Sequence, residues 1–214
     1  MAARPLKDCP IYFARHGETQ FNVERRWQGA GNDSPLTERG QDHARETGLI
    51  LRKIIDVAKP PRFVCSPLGR ARATMEKVLA MLDLPTDGYA IDSRLVEIDL
   101  GEWTGTLGDH VKEHDRERWE ARQRDKWNVP CPGGESLSMA AKRAENWIES
   151  VDCETVAISH GVFGKVVRAL YLGLPPAEIS GLEGPHGSVF CLRDGSVERI
   201  DYCAQETTGS LSSV

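Results

Sequence analysis

Two histidines occupy the same kind of position near opposite ends of the chain. His16 is the centre of RHG at 15–17, which follows the apolar run IYFA, and His160 is the centre of SHG at 159–161, which follows TVAI. Each segment predicts a buried strand that runs directly into a turn. A neutral imidazole can attack phosphorus, and a guanidinium such as that of Arg15 can contact two phosphoryl oxygens at once. The two tripeptides therefore predict a site for phosphoryl transfer.

A further candidate cation, Arg70, follows another short apolar run. Residues 62–65 predict a strand, and Ser66 and Pro67 then predict the N-cap and the first residue of a helix. Arg70 would lie in the first turn of that helix, close to the end of the strand. Ligands of open α/β sheets bind at the carboxyl ends of strands, so we expect Arg70 to join Arg15 at one site.

The rest of the chain alternates predicted strands with predicted helices. Met139 is expected on the buried face of the predicted helix that begins near Glu135. Asp194-Gly195 predicts the turn of a final hairpin over 189–200. The pattern predicts the α/β class: a three-layer sandwich in which helices flank a mostly parallel central sheet with an antiparallel hairpin at its edge. The predicted helices begin near Pro35, Ser66, Glu135 and Val162.

Residues 109–127 are a highly charged segment, with six lysines or arginines and six aspartates or glutamates. Balanced charge predicts one solvated helix rather than a basic patch, held to the body by Trp119 and Trp127. Within it, HVKEH at 110–114 matches a zinc peptidase pattern, because its two histidines would share one helix face. Solvated histidines are the ordinary interpretation in so charged a stretch.

Five segments, in this order, resemble the sequence blocks of one known family. They are RHGETQFNVERRWQGAGNDSPLTERG (15–40), SPLGRARAT (66–74), LVEIDLGEWTG (95–105), PGGES (132–136) and ISHG (158–161). Together they resemble the histidine phosphatase superfamily, in the branch of cofactor-dependent phosphoglycerate mutases and related small phosphatases. The resemblance covers nearly the whole chain, and five ordered blocks are far more specific than RHG alone. It implies a phosphoglycerate mutase-like fold.

The resemblance also implies roles for individual residues. His16 would be the nucleophile that forms a phosphohistidine, and Glu97 would be the acid. Protonated Glu97 would donate to the leaving oxygen, and its carboxylate could then activate water. Asp99 and Glu102 are rivals for this role, and the place of Glu97 in the third block is what favours it. The residues implied to hold the phosphate are Arg15, Asn22, Gln28, Arg70, His160 and Gly161.

One detail of the chemistry follows from the residue types themselves. One ring nitrogen of His16 must attack while the other keeps its proton, so we expect a backbone carbonyl near Gly17 to fix the tautomer. We also expect the first backbone N–H groups of the helix after His160 to face the phosphate.

The predicted function is hydrolysis of a phosphomonoester of a small metabolite through a phosphohistidine, with neither metal nor cofactor. The alternative is a cofactor-dependent phosphoglycerate mutase. Only 62 residues separate Glu97 from His160, whereas the resemblance implies a longer covering insertion in the mutases. A shorter cover, expected here over 98–135, admits water. A non-catalytic phosphate-binding module and a zinc hydrolase are the rivals from other classes.

Composition and charge give the expectations about partners, location and domain organisation. A net charge of −5 argues against non-specific nucleic-acid binding, and no apolar run approaches the ~20 residues of a membrane span. The first residues contain no apolar signal segment, and six scattered cysteines without a C-x-x-C pair fit a reducing compartment, so we expect a cytoplasmic protein. We expect one domain over 1–204 and a disordered tail over 205–214, and leave a homodimer open as the commonest assembly.

Overall fold

The computed structural model describes residues 9–204, which contain one six-stranded sheet. The tail expected over 205–214 lies outside these residues. In chain order the strands are β1 (Ile11–Arg15), β2 (Arg62–Cys65), β3 (Ala90–Ile91), β4 (Thr155–Ser159), β5 (Ser188–Arg193) and β6 (Ser196–Asp201). Their order across the sheet is β3-β2-β4-β1-β5-β6.

Strand direction divides the sheet into a parallel part and an antiparallel edge. β3, β2, β4 and β1 are all parallel, β5 runs antiparallel to β1, and β6 pairs with β5 as a hairpin. The hairpin turns at Asp194 and Gly195, both of which have positive φ, as a two-residue loop of this kind requires. The mostly parallel sheet with an antiparallel edge hairpin is confirmed.

Helices form the connections between the strands. In chain order they are α1 (Gln20–Val23), α2 (Glu38–Ile54), α3 (Gly69–Met81), α4 (Gly108–His114), α5 (Arg116–Arg124), α6 (Leu137–Ser150) and α7 (Gly161–Leu172). The Thr37 side chain caps α2, and the Ser136 side chain caps α6. Within residues 9–204, none of the helices has the length and apolar character to cross a membrane.

The sheet separates two apolar cores, one beneath α2 and α3 and the other beneath α6 and α7. Alternate residues of a strand serve opposite cores. In β1, Ile11 and Phe13 pack on the α6–α7 side, whereas Tyr12 and Ala14 pack on the α2–α3 side. This arrangement confirms the predicted three-layer sandwich.

Two local expectations from the sequence are wrong. α3 begins at Gly69 after Leu68 at the cap position, and not at the Ser66-Pro67 pair. The Ser66 hydroxyl lies 2.7 Å from Nε2 of His160 and also accepts from the Leu68 N–H at 3.4 Å. Met139 has 52% of its surface exposed. It lies off the buried face of α6, which is formed by Leu137, Ala140, Ala141, Ala144, Trp147 and Ile148.

The charged segment 109–127 forms two helices rather than the one expected. α4 ends and α5 begins around Asp115, whose backbone is outside the helical region. The Asp115 carboxylate accepts from Trp103 Nε1 at 2.7 Å and from Arg118 Nε at 2.7 Å. A tertiary contact at Asp115 therefore divides the segment, which the charge pattern alone predicts as one continuous helix.

Candidate active site

The register of the central strands brings three polar residues to one edge of the sheet. β1 and β4 end together, with Arg15 opposite Ser159, and β2 ends one residue earlier, with Cys65 opposite Ile158. The residues that follow these strands, His16, His160 and Ser66, therefore emerge at one edge of the sheet. The His16 N–H still donates to the Ser159 carbonyl at 2.9 Å. The ring centroids of His16 and His160 are 5.2 Å apart. The two histidines of the sequence motifs thus share one site at the carboxyl ends of parallel strands.

The His16 ring is fixed by two contacts and has 2% of its surface exposed. Its Nδ1 lies 2.7 Å from the Gly17 carbonyl oxygen, and its Nε2 lies 3.3 Å from Arg70 Nε. A carbonyl only accepts, so Nδ1 carries the proton, and the lone pair of Nε2 accepts from Arg70 Nε. The expected carbonyl contact is present. Burial first, and then the interaction with the neighbouring His160 ring and the positive charges of Arg15 and Arg70, hold the pKa of His16 well below its ordinary value of 6.5.

Arg15 reaches the site through a close approach to the start of α7. Its Nη1 donates to the Gly184 carbonyl at 2.8 Å, while its Nε is buried without a partner. A Cβ on Gly161 would lie 3.1 Å from both Nε and Cζ of Arg15. The absence of a side chain at Gly161 therefore lets the guanidinium lie against the helix N-terminus.

Arg70 is held by the loop that precedes α2. Its Nη2 donates to the Gly29 carbonyl at 2.8 Å, and its Nη1 donates to the Asn32 carbonyl at 2.9 Å and to Asp33 Oδ1 at 3.1 Å. Burial lowers the pKa of Arg70, and the hydrogen bond and charge of Asp33 oppose that effect. These contacts fix a buried cation directly beside the His16 ring.

The His160 ring is held through Nε2, whereas the His16 ring is held through Nδ1. Its Nε2 lies 2.7 Å from Ser66 Oγ, and its Nδ1 is buried without a partner. If the hydroxyl donates, Nδ1 keeps a proton for an incoming oxygen. Burial first, and then the charges of Arg70 and Arg15, place the pKa of His160 well below 6.5. The ring is therefore a neutral hydrogen-bond donor.

Glu97 is tied to the N-terminus of α7. Its Oε1 accepts from the N–H groups of Ile98 and Phe163, both at 2.9 Å, and its Oε2 accepts from the Val162 N–H at 3.1 Å. The α7 amides that we expected to face a phosphate are thus bonded to Glu97. This position also places the Glu97 carboxyl group at the edge of the site.

The two rivals of Glu97 point elsewhere. Asp99 Oδ1 accepts from the Gly101 N–H at 2.9 Å, and Glu102 forms an exposed ion pair with Arg118 at 3.0 Å. Glu97 is the one carboxylate among the described residues that line the cavity above His16. The geometry therefore singles out Glu97.

Asn22 and Gln28 both contact Thr19 at the start of α1. Asn22 Oδ1 accepts from the Thr19 N–H at 3.1 Å, and Gln28 Nε2 donates to Thr19 Oγ1 at 2.7 Å. Gln28 Oε1 is buried without a partner. Both side chains line the cavity, so the structure brings these two predicted residues to the site, with part of their capacity used by Thr19.

A cavity of about 380 Å³ opens above His16. Its inner end contains Arg15, Arg70 and Glu97, and its walls include side chains from 98–135, the segment expected to cover the site. The lining side chains from that segment are Ile98, Leu100, Trp103, Arg122, Gln123, Lys126 and Cys131.

The sequence did not reveal three supporting residues: Ser66, Asp33 and His186. His186 Nδ1 donates to the His16 carbonyl oxygen at 2.6 Å, and its ring stacks on His43 at 5.3 Å between centroids. Burial, followed by the charge of Arg15, lowers the pKa of His186 to about 3. The GPHG setting of His186 indicated only a loop, and no local signal connects it with a residue 170 positions away.

The zinc peptidase pattern is not assembled as a metal site. The exposed rings of His110 and His114 stack on each other with centroids 4.1 Å apart. Across residues 9–204, no group of three or more histidine, cysteine, aspartate or glutamate side chains is arranged to hold a metal ion.

Comparison with known proteins defines the class to which this fold and site belong. The sequence profile of the Histidine phosphatase superfamily (branch 1) matches residues 11–197, and the chain belongs to that superfamily. One relative, the probable phosphoglycerate mutase GpmB of Salmonella paratyphi C (strain RKS4594), is 31% identical over 198 residues, which cover 90% of this chain and 84% of the relative.

Solved structures of similar proteins show the same fold. A mycobacterial glucosyl-3-phosphoglycerate phosphatase in complex with VO3 is 27% identical, covering 92% of this chain and 100% of that one, with a TM-score of 0.73. A putative alpha-ribazole-5'-P phosphatase from Escherichia coli str. K-12 substr. MG1655 has a TM-score of 0.77 over 92% of this chain and 97% of that one, and at 22% identity it supports the fold alone. The superfamily and the glucosyl-3-phosphoglycerate phosphatase neighbour indicate a phosphatase enzyme.

Proposed function

We propose that the protein hydrolyses a phosphomonoester of a small metabolite through a phosphohistidine on His16. The observation that carries this proposal is a set of buried polar atoms without partners. Among residues 9–204, three of the four such side-chain atoms are Arg15 Nε, His160 Nδ1 and Gln28 Oε1. Arg15 Nε is a donor, and so is His160 Nδ1 when the Ser66 hydroxyl donates to Nε2 of the same ring. A buried donor is costly to leave unpaired, and phosphoryl oxygens would accept from both.

The first step transfers the phosphoryl group to the enzyme. The lone pair of His16 Nε2 attacks phosphorus, the bond from phosphorus to the ester oxygen breaks, and protonated Glu97 donates its proton to that oxygen. Arg15, Arg70 and His160 stabilise the charge on the remaining oxygens. In this proposal two guanidinium groups and a neutral donor supply the positive field, so no metal ion is required.

The second step returns the phosphoryl group to water. Glu97, now a carboxylate, takes a proton from a water molecule as the water oxygen attacks phosphorus. The bond between phosphorus and Nε2 breaks, inorganic phosphate leaves, and His16 regains its neutral form with the proton on Nδ1. We infer that residues 1–204 act as one domain in this reaction, with 98–135 as a partial cover that leaves room for water.

A panel of phosphate esters assayed for phosphate release tests the proposal. We expect turnover by the wild type, no turnover by His16→Ala, inhibition by vanadate and full activity after thorough chelation. Activity that returns only with added Zn²⁺ would contradict metal-independent chemistry.

The relatives named phosphoglycerate mutase make the mutase reaction the alternative. Both reactions can pass through the same phosphohistidine, and they differ in whether water or a sugar acid receives the phosphoryl group. Rapid exchange between 2- and 3-phosphoglycerate with little phosphate release would favour the mutase. Phosphate release without exchange is the result we expect.

A further inference from the structure

The charge of the cavity is opposite to that of the whole chain. The chain has a net charge of −5, yet six cationic side chains and one carboxylate line the cavity. Arg15 and Arg70 lie beside His16, where they serve the transferred phosphoryl group. The four cations that remain on the cavity wall are Arg26, Arg122, Lys126 and Lys165.

Two of these outer cations already have protein partners. Arg26 forms an ion pair with Glu24 at 2.9 Å, and Arg122 Nη1 donates to the Val129 carbonyl at 2.6 Å. Neither Lys126 nor Lys165 forms an ion pair with any residue that the structure describes. Among residues 9–204, the only lysine that does so is Lys142, which pairs with Glu145. Lys126 and Lys165 are therefore the available cations of the cavity.

Lys165 is fixed next to the phosphate end of the cavity. It lies one helical turn after Gly161 on α7, so the two residues share a face. Its Cε would be 3.5 Å from a Cβ on Gly184, the residue whose carbonyl accepts from Arg15. Burial first, and then the charges of Arg168, Arg15 and Lys126, lower the pKa of Lys165.

Lys126 approaches from the other side, in the segment 98–135. Its carbonyl accepts from the Leu137 N–H at 3.0 Å, which ties this end of the segment to the start of α6. Lys126 and Lys165 thus come from separate elements, are both half-buried and line one cavity, whose one carboxylate among the described residues is Glu97. The charge of Glu97 opposes the lowering of the Lys165 pKa but does not cancel it. Like charges held in this way repel, and an anion between them relieves the repulsion.

We propose that Lys126 and Lys165 bind a second anionic group of the substrate, a carboxylate or a second phosphoryl group, at the outer end of the cavity. The inference rests on the proposed function and narrows it to phosphate esters that carry a separate anion on the leaving group. Lys126 and Lys165 are then specificity-determining residues.

Calorimetric titration with phosphonates tests this binding, because a phosphorus–carbon bond is not hydrolysed. The probes are simple alkylphosphonates, and alkylphosphonates of the same chain lengths that end in a carboxylate or in a second phosphonate. At the best-fitting length we expect the second anion to lower Kd by about tenfold or more, as for a hydrogen bond between charged groups. Comparison of the two end groups identifies the anion.

The ratio of Kd values for the plain and the two-headed phosphonate is the readout in each variant. We expect Lys126→Gln and Lys165→Gln each to lose most of the tenfold gain, and Lys142→Gln, the exposed control on α6, to retain it. A gain that persists in the Lys126→Gln and Lys165→Gln double variant, or no gain at any length in the wild type, overturns the inference. Phosphonate binding with no hydrolysis of any ester contradicts the proposed function instead.

Discussion

At the scale of single residues, the two motif histidines present opposite ring nitrogens to one space. The Gly17 carbonyl holds His16 by Nδ1 and leaves Nε2 with a lone pair, whereas Ser66 holds His160 by Nε2 and leaves Nδ1 without a partner. In the proposed mechanism the His16 ring attacks phosphorus and the His160 ring donates to a phosphoryl oxygen. The sequence motifs are alike, and this difference in role comes from what each ring's second nitrogen contacts.

Replacement of Glu97 tests its role as the acid. We expect Glu97→Gln to lower kcat for an alkyl phosphate by about a hundredfold to ten-thousandfold, the usual contribution of a general acid. The loss should be much smaller for 4-nitrophenyl phosphate, because nitrophenolate leaves without a proton. Steady-state kinetics on the two esters measure the difference.

Glu97 also accepts three backbone hydrogen bonds, so a structural effect must be separated from the chemical one. A purely structural disturbance would slow both esters by the same factor, and equal losses would therefore remove Glu97 from the acid role. Glu102→Gln, which alters an exposed ion pair away from the cavity, is the matched control.

The central residues of the site could be predicted from the sequence because they lie within short motifs at strand ends. Ser66 and Asp33 could not, since each acts through a partner that the chain brings near only after folding. The Ser-Pro pair predicts a helix cap at Ser66. In the structure the Ser66 hydroxyl contacts His160, which is 94 positions away, and no local pattern predicts that contact.

At the scale of elements, the site depends on close contact between the end of β1 and the start of α7. Gly161 is the first residue of α7 and lies against the Arg15 guanidinium. In the loop after β1, a Cβ on Gly17 would lie 2.1 Å from the Gly40 carbonyl oxygen, so this loop also packs directly against α2. Backbone contacts of this kind set where the side chains of the proposed mechanism lie.

An added methyl group at Gly161 should therefore displace Arg15 without unfolding the protein. We expect Gly161→Ala to weaken binding of inorganic phosphate by about tenfold, the scale of a lost hydrogen bond to a charged group. Gly181→Ala is the matched control, because a Cβ there has no heavy atom within 4 Å. Equal phosphate affinity in the two variants, measured by calorimetry, would be inconsistent with this arrangement.

The ends of helices could be predicted where a local capping residue sets them. They could not be predicted where a tertiary contact sets them. Ser136 was predicted at the start of a helix and does cap α6. The break between α4 and α5 could not be read from charge balance, because it depends on the hydrogen bond from Trp103 to Asp115 across the cover segment. The alternation of strands and helices, in contrast, was sufficient for the fold class.

At the scale of the whole molecule, burial of neutral histidines connects the active site to stability. His16, His160 and His186 all have pKa values lowered by burial, to well below 6.5 or to about 3. The unfolded chain takes up a proton on each histidine near pH 6.5, whereas the folded protein does not. Acid therefore favours the unfolded state, and the free energy of unfolding falls as the pH falls below 6.5.

His186, whose pKa is about 3 in the folded protein, should lower the free energy of unfolding by about 1.4 kcal/mol between pH 7.5 and 5.5. His16 and His160 should lower it further in the same direction. Urea unfolding at the two pH values measures this change, and in His186→Asn the drop should shrink by about 1.4 kcal/mol. An unfolding free energy that stays constant over this interval would show that these rings are protonated in the folded state.

The central claim is that the phosphoryl group passes through His16, and labelling of the enzyme tests it most directly. The wild type is mixed rapidly with a ³²P-labelled ester, quenched in alkaline denaturant and digested with trypsin, which cleaves after Arg15 and Arg25. The account predicts an acid-labile, alkali-stable label on the peptide 16–25, and none in His16→Gln. Turnover without any labelled enzyme, or label on a different peptide, would contradict it.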